Sequence, residues 1–176
     1  MKKTNPISTE EIKKIASNFR KEYKIALNEY FPIYEALMDL ENLGLITIQV
    51  MENDDPMFCE DIPALYNAYD NFIYIKESVL EDYDSHEYRA NFTLAHELFH
   101  FLQHKVLKFE FCDVDECKPY CDPEWQANEF AGQLLIPEDY IDTEVDELVQ
   151  MYHVSDVCAA TRKLKIKKRN KKNSSL

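Results

Sequence analysis

Between Ser8 and Tyr30 the apolar positions fall at Ile12, Ile15, Phe19, Tyr23, Ala26 and Leu27, the three- and four-residue spacing of one helix face. Ser8 and Glu11 have the spacing of a capping box, which predicts the start of that helix. Pro32 interrupts the pattern, and a second helix is predicted over 34–43, closed by Gly44. The period then shortens. Residues 45–50 are rich in β-branched side chains and predict a strand; 64–69 and 71–76 predict two more, joined by a turn at Asp70-Asn71. The acidic stretch 52–62 contains Pro56 and predicts a loop. A helix is predicted over 85–104, with Asp84 and Glu87 at capping-box spacing, followed by a loop over 105–121. Asp122-Pro123 predicts an abrupt helix start, because aspartate accepts from unpaired N–H groups and proline has none to satisfy. That helix ends before Pro137. Two last helices are predicted over 142–152 and 155–166, the second capped by Ser155. The pattern predicts an α+β domain, a small antiparallel β-sheet packed on several helices.

At 176 residues the chain fits one domain, and 45% hydrophobic and 12% aromatic residues suffice for a core. Two glycines exclude folds built on many tight glycine turns. No run of 18 apolar residues predicts a membrane span, and the start MKKTNPISTEEIKK lacks the apolar centre of a secretory signal. The expected location is therefore the cytoplasm. Cys59, Cys112, Cys117, Cys121 and Cys158 are then expected to be reduced, and their odd number argues against a closed disulfide framework.

Charge is divided unevenly. Arg162, Lys163, Lys165, Lys167, Lys168, Arg169, Lys171 and Lys172 lie in 161–176 without an acid among them. Taking those eight from 20 basic residues leaves 12 against 33 acidic ones, a net of −21 for 1–160. Such a body repels nucleic acid, so any nucleic-acid contact is confined to the basic tail, whose simpler reading is a solvated terminus.

The chemistry centres on His96-Glu97-Leu98-Phe99-His100. Residues four apart share a helix face, about 6 Å along the axis, so two imidazoles so placed can bind one Zn²⁺. Glu97, roughly 100° around the helix, can reach a water at the metal without being a ligand. Leu94, Leu98, Phe101 and Leu102 make the same helix apolar on one side, and Thr93, His96, Glu97 and His100 make a polar stripe that a core helix does not tolerate without a purpose. A catalytic zinc needs a third protein ligand, for which the next helix offers Glu124 and Glu129. Glu124 is preferred: Asn128, one turn later, is placed to orient a ligating histidine, and the small Ala127 and Ala131 permit close helix packing. Glu129 points elsewhere and is expected to be a solvated surface acid.

Other groups compete. His104, one more turn along, suits a supporting role beside the ligands rather than that of a fourth ligand, which would close the site. Cys112, Cys117 and Cys121 with His104 would make a rival structural zinc site, although their spacings are loose for one. Tyr120, Tyr140, His86 and His153 are candidates for stabilising an oxyanion, and nothing in the sequence selects one. The segment YHVSDV has the look of the turn between two DNA-binding helices, but the acidic body argues for scaffold.

FTLAHELFHFLQH followed by EWQANEFAGQLLIP, with Arg89 upstream, the strand NFIYI and the ending YHVSDVCAATRKLKI, resembles the ImmA/IrrE-type metallopeptidase family over residues 45–166. The resemblance implies a gluzincin-like zinc-peptidase fold with one Zn²⁺ held by His96, His100 and Glu124, and Glu97 as catalytic base. The departure is Phe99, where family members often have glycine; it is expected to alter the width or lining of the site and removes no ligand. Short stand-alone members, often encoded by mobile genetic elements, cleave a helix-turn-helix repressor, and that is the expected partner. The expected division is N-terminal helices over 1–44 packed on a peptidase domain over 45–160, with the end of the last helix and a basic tail over 161–176. Asn71, Ile73 and Ile75 are expected to offer a strand edge to an extended substrate. An alternative is a zinc-containing regulatory module that sequesters a transcription factor without cutting it.

Overall fold

A computed structural model describes residues 2–58, 62–85, 87–140 and 142–173. Its helices are α1 (Thr9–Glu22), α2 (Ile33–Asn42), α3 (Glu77–Asp84), α4 (Arg89–Phe101), α5 (Pro123–Leu135), α6 (Val145–Tyr152) and α7 (Asp156–Asn173); its strands are β1 (Lys2–Lys3), β2 (Thr47–Met51), β3 (Ala64–Asn67), β4 (Phe72–Lys76) and β5 (Cys112–Asp113). The fold is mixed α+β, as the pattern predicts. Among the described residues no helix is long and apolar enough to cross a membrane.

The centre of the molecule is the pairing of α4 with α5. Leu94, Ala95 and Leu98 of α4 and Ala127, Ala131 and Leu134 of α5 are fully buried. Phe99 stacks on Phe130 with centroids 4.7 Å apart. The helix α1 packs on α5, and α2 on α4.

The three-stranded sheet has the order β2-β4-β3. The hairpin of β3 and β4 is antiparallel, but β2 runs parallel to β4, pairing Thr47 with Phe72 and Met51 with Lys76. The expected wholly antiparallel sheet is thus corrected to a mixed one. Alternation reports which face a residue takes, not the direction of its neighbour; the chain leaves β2, passes to the far side of β4 and returns through the hairpin. Asn71 takes the left-handed conformation at φ 67° in the turn, where asparagine is well tolerated.

Several helix boundaries differ from the sequence pattern. The capping box of Ser8 and Glu11 forms, with Ser8 N 2.9 Å from Glu11 Oε2, but α1 ends at Glu22 rather than near Tyr30. Buried Arg20 explains this: its guanidinium donates to Leu134 O at 2.7 Å and to the carbonyls of Ala26 and Glu29, so the chain wraps around a cation instead of continuing the ladder. The helix expected from Ser85 begins at Arg89. Ser85 closes α3 instead, its N–H and hydroxyl both bonding Glu81 O. Beyond Phe101, Leu102–Val106 form a π-helical turn. The last helix is longer than predicted: Ser155 caps it, its Oγ accepting from Cys158 N at 3.2 Å, and it runs through the basic tail to Asn173.

At the amino end, β1 pairs with β5. Thr4 N–H and Ile7 N–H then bond the carbonyls of Cys121 and Tyr120, so residues 2–7 lie along the loop that leads into α5.

Candidate metal centre and catalytic carboxylate

Each side chain of the site is delivered by an element whose local reason is legible. His96 and His100 are one turn apart on α4, on the side opposite buried Leu94 and Leu98. Glu124 stands in the first turn of α5, because Asp122 caps that helix by accepting from Glu124 N at 3.0 Å. Helix packing brings the two turns together. Nε2 of His96 lies 3.2 Å from Glu124 Oε2, Nε2 of His100 lies 3.5 Å from Glu124 Oε1, and the two Nε2 atoms are 2.9 Å apart. Among the described residues these three are the one group of histidine, cysteine and acidic side chains gathered closely enough to hold a metal ion. Hydrogen bonds from His100 and then His96 hold the Glu124 carboxyl well below the usual carboxylate range.

The far nitrogens of both rings meet amide oxygens. His96 Nδ1 is 3.2 Å from Asn128 Oδ1, one turn beyond Glu124 on α5, and His100 Nδ1 is 2.9 Å from Gln103 Oε1. An amide oxygen there can accept the Nδ1 proton, the arrangement that backs a histidine whose Nε2 binds a metal; the ion would then take the place of the Nε2 hydrogen bonds to Glu124.

Glu97 is buried, 7% exposed, and does not join the cluster. Its Oε2 accepts from the Tyr66 backbone N–H of β3 at 2.7 Å. Burial pushes its carboxyl above the usual range, against the pull of the two imidazoles. Glu97 lines a cavity of about 410 Å³ with His96, His100, Glu124 and the β3 approach Ile62–Leu65. Phe92 and Thr93 also line a larger cavity of about 710 Å³ between α4, α5 and α7.

Several expectations are corrected. Asn71, Ile73 and Ile75 offer no edge: β4 is the central strand, paired on both sides, and Ile73 and Ile75 are fully buried. The edge beside the site belongs to β3. His104 makes no hydrogen bond to His96, His100 or Glu124; carried around by the π-helical turn, it stacks on Phe111 at 4.1 Å between centroids and meets Tyr66. Glu129 is not a solvated acid. It is 4% exposed and pairs with Arg162 at 3.1 Å, a partner on α7 that helical geometry within α5 does not reveal. Phe99 turns into the core against Phe130 and is not among the cavity's lining residues. Cys112, Cys117, Cys121 and His104 form no metal-holding group among the described residues. Tyr140 packs on Tyr152, His153 is stacked between Tyr30 and Tyr88, and half-exposed Tyr120 lines a separate surface cavity with Pro6 and Trp125. His86 and Cys59 lie outside the described residues.

Sequence reasoning missed Gln103 and Gln126, both fully buried, and the Tyr66 N–H that anchors Glu97. The available signal was an amide within the apolar run Phe101-Leu102-Gln103, one turn after a candidate ligand, since a buried amide demands partners. A backbone N–H donated by a distant strand leaves no such signal.

No curated protein matches the chain. The family model of the IrrE N-terminal-like domain, Peptidase_M78, matches residues 46–169, the stretch that carries both helices of the site, and the chain belongs to that family of metallopeptidase-type domains.

Proposed function

We propose that the protein is a zinc-dependent endopeptidase, with His96, His100 and Glu124 as the metal ligands and Glu97 as the catalytic base. The observation that carries this reading is the convergence of two imidazole nitrogens and one carboxylate, with a buried second carboxylate beside them that stays outside the cluster. The donor set fits the group: two nitrogens and one carboxylate suit zinc, and each ring is backed by an amide oxygen in the manner of metal-bound histidines. When bound, zinc supplies Lewis acidity, easing deprotonation of the attacking water and polarising the scissile carbonyl.

The remaining work falls to the chain. Glu97 accepts the proton of the attacking water, and its raised affinity for protons suits it to carry that proton and pass it to the leaving nitrogen. Tyr66 N–H keeps one carboxylate oxygen fixed during both transfers. Strand residues alternate, so Ala64 turns its N–H and C=O to the same side as Tyr66, away from β4 and toward the cavity. An extended substrate can pair there as an added strand. Phe92 and Thr93 line both cavities, so a second recess lies beside the site, room that suits cleavage within a chain rather than at its end.

The resemblance supports a helix-turn-helix repressor as the substrate and the cytoplasm as the place of action. The test is elemental analysis of metal together with cleavage of a helix-turn-helix repressor offered as substrate. About one zinc per chain is expected in the wild type and little in Glu124→Ala. Glu97→Gln is expected to keep zinc while cleavage falls by orders of magnitude. Full activity in Glu97→Gln would refute the mechanism, and a repressor bound but never cut would favour a sequestering module.

A further inference from the structure

Two buried glutamines join His100 to the amino-terminal arm. Gln103 Nε2 donates to Pro123 O at 3.3 Å and to Gln126 Oε1 at 2.8 Å. Gln126 Nε2 donates to Asn5 O and to Tyr120 O, each at 2.9 Å. The far ends are backbone carbonyls, which only accept. They therefore fix the orientation of both amides: the NH₂ of Gln126 must face Asn5 and Tyr120, its oxygen must face Gln103, and the oxygen of Gln103 must face His100 Nδ1 at 2.9 Å. Polarity is set along the whole path. Both amides are fully buried, so no solvent offers an alternative arrangement. The anchor Asn5 is held in turn: its Oδ1 accepts from Glu110 N at 2.6 Å, and its neighbour Thr4 N bonds Cys121 O at 2.8 Å. His96 has a shorter arrangement, a single amide from Asn128.

We propose that Gln103 and Gln126 are positioning residues that hold the proton of His100 on Nδ1 and so present Nε2 to the metal, with residues 2–7, which precede the segment matched by the family, as their anchor. This rests on His100 being a metal ligand. The arm is thereby part of the metal centre although it touches no ligand. The relay orients the ring before the metal arrives, which raises affinity by removing a rearrangement from the binding step.

The experiment is zinc affinity by chelator competition on the full chain, on Gln103→Leu, on Gln126→Leu and on a chain lacking residues 1–6, with thermal melting recorded for each. It is joined to nuclear magnetic resonance detection of the imidazole Nδ1 protons in the zinc-loaded proteins. Affinity is expected to fall about 10- to 100-fold in Gln103→Leu and in the same direction in the other two. The His100 Nδ1 proton is expected to exchange rapidly with water, and its signal to vanish, while that of His96 persists. Unchanged affinity in both point variants overturns the relay and leaves the zinc site standing; unchanged affinity in the truncated chain removes the arm from it. Loss of both proton signals together would assign the effect to general loosening and also overturns it. A wild type that binds no zinc would overturn the metal reading and the relay with it.

Discussion

Two glutamates on neighbouring helices have opposite fates, and the difference lies in what faces them. Glu97 is buried with one backbone N–H and two imidazoles, an arrangement that leaves a carboxyl hungry for a proton. Glu129 is equally buried but meets Arg162, itself 3% exposed, and Gln133 at 2.9 Å. Arg162 also reaches Glu138 and Ile136 O, and Arg169 joins Glu129 and Glu138, so two of the tail's bases are spent inside the molecule. Removing one partner of a buried pair leaves the other charge uncompensated. Arg162→Met is therefore expected to cost about 3 to 5 kcal/mol in urea unfolding. A loss under about 1 kcal/mol would place the pair among weak surface contacts.

At the scale of elements, β3 is the piece that makes a cleft beside the His96, His100 and Glu124 cluster. It is an edge strand, its Tyr66 N–H positions Glu97, and Ala64 and Leu65 line the cavity. Proline is tolerated on an edge strand where the missing N–H faces outward. Ala64→Pro is expected to retain fold and zinc while peptide cleavage falls, as read by circular dichroism, metal analysis and kcat/KM. Undiminished cleavage would remove β3 from substrate binding. The same substitution at Ile73, in the central strand, would break the sheet instead and report nothing about substrate. The π-helical turn after α4 is a second decisive element, for there His104 swings onto Phe111 while Gln103 stays beside His100.

For the whole molecule, burial of tyrosines sets a limit on alkaline stability. Burial pushes the phenols of Tyr66 and Tyr152 from 10 up to about 12. A group that holds its proton more tightly when folded favours the folded state below the unfolded value and loses that contribution as pH climbs through the folded one. Stability is expected to fall between about pH 10 and 12, and Tyr152→Phe, which forgoes the bond to Leu27 O, is expected to flatten the decline. A melting temperature equally steep in pH for that variant would show that Tyr152 takes no part.

What depends on near neighbours is readable along the chain. Histidines four apart on a helix, a capping aspartate before a proline, Glu124 with Asn128 one turn on, and the capping box at Ser8 are local geometry, and each was legible because helical spacing converts position into direction. Which strand is central and which is the edge emerges on folding, because alternation fixes a face and not a neighbour. The same holds for the burial of Glu129 by a base 33 residues later, and for the fixing of His100 through two glutamines to Asn5. Those partners are distant in sequence, and a buried polar group announces that it needs a partner without naming which one.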